Sequence, residues 1–125
     1  MKRTYRLRDH RRFQRVRGEG RCWAHPLCVL CVLPNGLPFS RFGFSVSRRI
    51  GKAAVRNRTK RRLREIVRQR QNNIQPGYDM VWIARRPIVH ASHAELVAAV
   101  ESLLQQAGLW TDPEVKMPGS ASEER

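Results

Sequence analysis

Acidic residues are what this chain lacks most. Only 10 Asp plus Glu stand against 25 Lys plus Arg in 125 residues, a formal net charge of +15 with a pI near 11.5. Between Met1 and Arg70 the only acids are Asp9, Glu19 and Glu65. Nucleases that work alone need two or three carboxylates to hold metal ions, or a His pair for acid–base work. Neither pattern is present, and no phosphate-cradling Gly-rich loop or Ser-His-Asp arrangement replaces it. Long apolar runs are also missing. The longest, Leu27 to Leu33, is strand length and far short of the roughly 18 residues of a membrane span. The N-terminus, Met1-Lys2-Arg3-Thr4-Tyr5-Arg6, leads into more arginine rather than an apolar signal segment. A cytoplasmic protein with no membrane partner is the expectation.

Cysteine is scarce too, and its arrangement excludes more than it suggests. Cys22, His25, Cys28 and Cys31 are crowded at three-residue intervals, whereas zinc sites usually join two short ligand pairs across a long loop. Zinc is therefore not expected, and the three cysteines read as reduced, mostly buried thiols.

The positive charge is segregated. Residues 1–21 carry net +7, residues 22–40 no Asp, Glu, Lys or Arg, residues 41–70 net +11, and residues 71–125 net −3. Arg supplies 21 of the 25 cations, and guanidinium matches phosphate with a planar fork of donors. Two basic blocks around a neutral apolar one make a strong local field, the footprint of a nucleic-acid binder.

Periodicity gives a coarse order of elements. Asp9 suits the N-cap of a short helix carrying Phe13 and Val16 on one face, with Gly18 closing it. Phe13 has two readings, a core anchor or a ring exposed for base stacking. The Leu27–Leu33 run reads as a strand covered on both faces, Pro34-Asn35-Gly36 as a hairpin turn, and Phe39–Ser47 as the returning strand. In that strand Phe42, Phe44 and Val46 share one face. Gly43, Ser45 and Ser47 give the other a small, polar surface, followed at once by Arg48 and Arg49.

A long helix is expected over Val55–Gln71, burying Val55, Thr59, Leu63, Ile66 and Val67. Asn57, Arg61, Arg64 and Arg68 lie on its opposite face, widened by Arg58, Lys60 and Arg62. Such crowding of like charge destabilises an isolated helix and makes sense beside a polyanion. Tyr78–Ala84 reads as a strand. Ser92-His93-Ala94-Glu95 has the form of a capping box, opening a last apolar-faced helix that Gly108 can end. One domain over 1–110 follows, burying roughly 65% of its unfolded surface. Residues 111–125 are expected to be a flexible tail, with removal tolerated from about Gly108. A ribosomal or general RNA-binding protein would satisfy all of this.

A longer motif is more specific. FSVSRRIGKAAVRNRTKRRLRE, from Phe44 to Glu65, resembles the signature of the bacterial ribonuclease P protein family. Its centre is the RNR triplet Arg56, Asn57 and Arg58, continuing through Lys60 and Arg61 to Arg64. RLRDHRRFQRV (Arg6–Val16) and YDMVWIAR (Tyr78–Arg85) extend the likeness over most of residues 5–107. The resemblance implies an α/β fold (an α+β sandwich) of αβββαβα order, like a ribosomal protein domain, with a left-handed βαβ crossover against the usual rule. That order needs one strand more than the residues define, and splitting Ala24–Leu33 would supply it.

It also implies a subunit of an endoribonuclease whose RNA performs the hydrolysis, removing the 5′ leader of precursor tRNA with Mg²⁺. The implied partners are that catalytic RNA, at 1:1, and the leader. Arg56, Asn57, Arg58, Lys60, Arg61, Arg64 and Arg68 would contact RNA, with Mg²⁺ near Asn57. Phe13, Arg17, Cys31, Ser45, Ser47, Arg48 and Arg49 would form the leader cleft. Arg17 and Cys31 stand where the family often has further aromatics.

Overall fold

The computed structural model describes residues 1–112. Its elements are α1 (His10–Glu19), β1 (Arg21–Ala24), β2 (Cys28–Pro34), β3 (Arg41–Ser45), α2 (Ala53–Gln69), β4 (Tyr78–Ala84) and α3 (His93–Gln106), the αβββαβα order that the motif implies. Short 3₁₀ turns lie at Arg3–Tyr5, Arg48–Ile50, Gln71–Asn73 and Arg86–His90. Among the described residues no helix is long and apolar enough to cross a membrane.

The sheet order is β1-β2-β4-β3, antiparallel except for the parallel pair β3–β4. This corrects the hairpin expectation. β2 and β3 are not neighbours, because β4 lies between them, and β2 has its hairpin with β1 instead. The Asn35-Gly36 bend is real, with Gly36 at φ 71°, but it launches a crossing rather than a return. Asn35 ties it down, its Oδ1 accepting from the Leu37 N–H at 2.8 Å and its Nδ2 donating to the Asp79 carboxylate at 2.9 Å.

The missing strand lies upstream of the predicted split. β1 is a four-residue edge that is mostly exposed, so it has no apolar run to announce it. It also overturns the reduced-thiol expectation. The β1–β2 register sets Cys22 opposite Cys31, with Cα atoms 4.1 Å apart, and the two form a disulfide. Cys28 is the buried free thiol, pushed up to about 12 by burial.

Alternation along the strands sorts the sheet into two faces. One row across all four strands runs Cys22, Cys31, Val81, Gly43, and the next runs Trp23, Leu30, Trp82, Phe44. The second face carries the main core, where Trp82, Leu30 and Phe44 meet Leu63, Ile66, Leu96 and Leu103 of α2 and α3. The first face carries a smaller core under α1, built from Leu7, Val16, Cys31 and Val81 with Phe13 packed against it.

Helix boundaries follow local chemistry. Asp9 caps α1, accepting from the Arg11 N–H at 2.9 Å, but α1 runs past Gly18 and stops at Gly20. α2 begins two residues before Val55 and ends two before Gln71, while Thr59, Leu63, Ile66 and Val67 form its buried stripe. The Ser92–Glu95 capping box forms on α3.

Beyond Gly108 the chain remains bound to the fold. Leu109 is buried in the main core, Gln75 N–H donates to its carbonyl at 2.9 Å, and Thr111 N–H donates to the Asn73 carbonyl at 2.6 Å. Removal from Gly108 would therefore cut into packed structure. The rest of the expected tail, 113–125, lies outside the described residues.

Candidate RNA interface

A cleft of about 860 Å³ opens where α1, β3, α2 and the N-terminal segment meet. Its floor depends on glycine. A Cβ at Gly43 would sit 2.5 Å from Cε2 of Phe13, so the bare backbone is what lets that ring lie this close to the sheet. Phe13 is half-buried and lines the cleft with Arg17 from α1, Ser45 from β3, and Lys60 and Arg64 from α2. It thus takes part in both of its readings, resting on the small core and bordering open space.

The N-terminal segment forms the remaining wall. Leu7 N–H donates to the Phe42 carbonyl at 2.8 Å, laying residues 6–7 along the free edge of β3. This brings Arg3, Arg6 and Arg8 to the cleft. Burial lowers the pKa of Arg64, and the charge of Arg6 lowers it further. The two guanidinium groups therefore repel each other across the opening, and an anion between them would relieve it. Arg6 was not singled out from the sequence, although the dense N-terminal charge was its signal.

The other expected site residues are distributed. Asn57, Arg58 and Arg61 are exposed along α2, and Arg56 is half-buried with its guanidinium 3.4 Å from the Gly51 carbonyl. Arg68 is exposed but engaged, its fork on the Glu65 carboxylate through Nε at 3.0 Å and through Nη2. Ser47 and Arg49 line a separate hollow of about 620 Å³ with Arg85 and Arg86, and Arg48 opens the exposed turn beside them. Cys31 is 3% exposed beneath α1 and bonded to Cys22. Its side chain supports the cleft from below rather than lining it.

Not all the positive charge faces outward. Arg62 donates to the carbonyls of Ile88 and Ala91, and Arg70 pairs with Glu101 at 2.8 Å. The residue that positions α1 is Asp79, the only acid in a strand among the described residues and fully buried. It accepts from Arg12 Nε at 2.6 Å, from Arg41 at 2.7 and 2.8 Å, and from Asn35 at 2.9 Å. Burial pushes its carboxyl upward, and the hydrogen bonds from Arg41, Asn35 and Arg12 outweigh that and hold it below its ordinary value. An acid inside an apolar strand, in so basic a chain, was the sequence signal for this clamp.

A family model described as Ribonuclease P matches residues 1–108. The ribonuclease P protein component of Roseiflexus castenholzii is 48% identical over 110 residues, covering 87% of this chain and 90% of that protein. The same component from Herpetosiphon aurantiacus is 45% identical over 114 residues, covering 91% and 93%. Among solved structures, the Staphylococcus aureus RNase P protein matches with a TM-score of 0.78 at 29% identity, over 86% of this chain and 98% of that one. The Thermotoga maritima RNase P protein gives 0.75 at 32% identity, over 81% and 96%. With sequence, fold order and motif in agreement, the chain belongs to the ribonuclease P protein family, as a subunit of the Mg²⁺-dependent, tRNA-processing ribonucleoprotein endoribonuclease and a partner of its RNA.

Proposed function

We propose that the α1–β3 cleft holds the single-stranded 5′ leader of precursor tRNA while the outer face of α2 docks on the catalytic RNA, one protein per RNA. The observation that carries this reading is the Phe13 ring seated on Gly43 at the border of an arginine-rimmed cleft. Single-stranded RNA binds where aromatic faces meet a basic channel. Arg17, Arg6, Lys60 and Arg64 take leader phosphates, and Ser45 leaves room for the backbone. Asn57, Arg58 and Arg61, free of acidic partners among the described residues, face the catalytic RNA, with Arg56 beside them. Ser47, Arg48 and Arg49 extend the basic surface toward Arg85 and Arg86, and Arg68 contributes only by exchanging Glu65 for phosphate.

The residues around Asn57 do not by themselves fit a Mg²⁺ site. Arg56 and Arg58 flank it, and the single acid of α2, Glu65, is held by Arg68. Among the described residues no group of three His, Cys, Asp or Glu could hold a metal ion. The ion is accordingly assigned to RNA phosphates, and the protein's part is to bind and orient RNA.

Phe13→Ala is expected to weaken holoenzyme binding of leader-bearing precursor tRNA by about 1–3 kcal/mol, the range for one base–aromatic stack. Mature tRNA should bind unchanged, and the salt dependence should keep its slope because no charge is lost. Replacing Lys60 and Arg64 with Ala should instead flatten the log–log salt slope by about 1.4, at roughly 0.7 per single-strand phosphate. Titrations of both tRNAs over a salt series read these outcomes. Equal weakening of precursor and mature tRNA by Phe13→Ala would return Phe13 to a purely packing role.

A further inference from the structure

A second groove, of about 610 Å³, lies on the other side of the N-terminal segment, toward the C-terminal end of α2. Met1 and Phe42 line both it and the α1–β3 cleft. The two openings are thus consecutive along β3, divided by the segment bonded to its edge. We propose that the groove is a second RNA subsite, taking one or two unpaired bases of the leader farther from the cleavage point than those beside Phe13. This inference rests on the leader occupying the first cleft.

Three features of the groove suit nucleobases. Tyr5 and Phe39 meet edge to face, with centroids 5.8 Å apart and planes at 78°, and both are half-exposed on the groove wall. The pair is already fixed by packing, so a base stacking on it would cost little side-chain entropy. Gln71 and Asn72 bring side-chain amides to the same wall and make no side-chain hydrogen bond among the described residues. Amides of that kind can read the donor and acceptor edge of an unpaired base.

Charge favours RNA over a peptide. Among the described residues no carboxylate lines the groove, whereas Lys2 is exposed at it and Arg68 reaches it while paired with Glu65. Besides the Glu65-paired Arg68, an acidic peptide would find only Lys2 and the Met1 amino group among the described lining residues, and an apolar helix would meet amides and a guanidinium. A base stacked on the rings, with its phosphate toward Lys2, uses each group present.

The test uses the reconstituted holoenzyme and precursor tRNAs carrying 4-thiouridine at single leader positions. With wild-type protein, a position close to the cleavage site should crosslink to α1. A position about five or more nucleotides farther upstream should crosslink to the peptides bearing Tyr5 or Phe39. In binding titrations, the Tyr5→Leu, Asn72→Ala double variant should lose about 5- to 100-fold for a leader of about ten nucleotides. It should lose nothing for a leader of about four, whereas Phe13→Ala should weaken both. The single variants Asn72→Ala and Lys2→Ala, at exposed positions, supply the same comparison if Tyr5→Leu lowers stability. Upstream crosslinks that fall elsewhere, crosslinks of the groove to the catalytic RNA alone, or equal loss with short and long leaders would overturn the second subsite. In each of those cases a leader-specific effect of Phe13→Ala would leave the first cleft standing, and its absence would remove both.

Discussion

Asp79→Asn should lower the unfolding free energy by about 3 kcal/mol, and with it the melting temperature by about 10–20 °C. Removing one partner of a buried ion pair typically costs 3–5 kcal/mol, because the remaining charge is left uncompensated. Here the lower end applies, since the Arg12 and Arg41 side chains are 18% and 29% exposed and can turn toward water. The asparagine amide would also direct donors at two guanidinium groups that are themselves only donors.

The same residue sets a pH dependence. Its carboxyl titrates lower in the folded chain than in the unfolded one. The stability it contributes is therefore present above the unfolded value and lost as pH falls through the folded one. Wild-type protein should lose this contribution below about pH 4, and the Asn variant should lack that component of acid sensitivity. Because Arg12 lies on α1, loosening the clamp should also reduce leader discrimination before the protein melts. Thermal melting across an acid pH series, with leader-dependent binding measured at neutral pH, checks each point.

Gly20→Ala should cost about 3 kcal/mol, at the upper end of ordinary overpacking. A Cβ there would lie 2.5 Å from the Val16 carbonyl oxygen and 2.6 Å from that of Val32. Both obstacles are backbone, one closing α1 and the other in β2, so no rotamer change relieves them. Gly18→Ala is the matched control, two residues away in α1. A Cβ at Gly18 meets nothing within 4 Å, and alanine should stabilise the helix by about 0.5–1 kcal/mol. Urea unfolding of the pair should therefore show opposite signs. Equal effects would mean that α1 does not approach β2 as closely as Gly20 requires.

The contrast shows where local reading of the sequence succeeds. Gly18 was the expected end of α1 because glycine often closes helices, yet tertiary contact, not helix chemistry, decides between Gly18 and Gly20. Elements with strong periodicity were legible: β4 has the expected bounds, and the buried stripe of α2 includes four of its five expected residues. The Asn35-Gly36 bend was also legible, but not what it connects. Which strands pair depends on β4, more than 40 residues away, and no local pattern carries that information. β1 was hidden for a different reason, its short exposed edge having no apolar run to announce it, and the disulfide was hidden with it.

In the candidate site, the small-residue face of β3 and the charges of α2 were visible as sequence patterns. Arg6 was missed because its place depends on a backbone bond to Phe42. Arg62 and Arg70 resembled their neighbours in charge and differ only in the carbonyls and carboxylate beside them.

The position of β4 has a consequence for biosynthesis. A ribosome releases residues 1–70, carrying nearly all the positive charge, before the strand that must enter between β2 and β3. Until Tyr78–Ala84 emerges, β3 has no strand partner, Arg12 and Arg41 have no Asp79, and the cleft has no fixed floor. Non-local pairing of this kind delays folding because chain closure precedes the contacts that reward it. The nascent chain therefore passes through a polycationic stage in which β3 is unpaired in the presence of abundant RNA, and its interface becomes selective only after Tyr78–Ala84 has emerged.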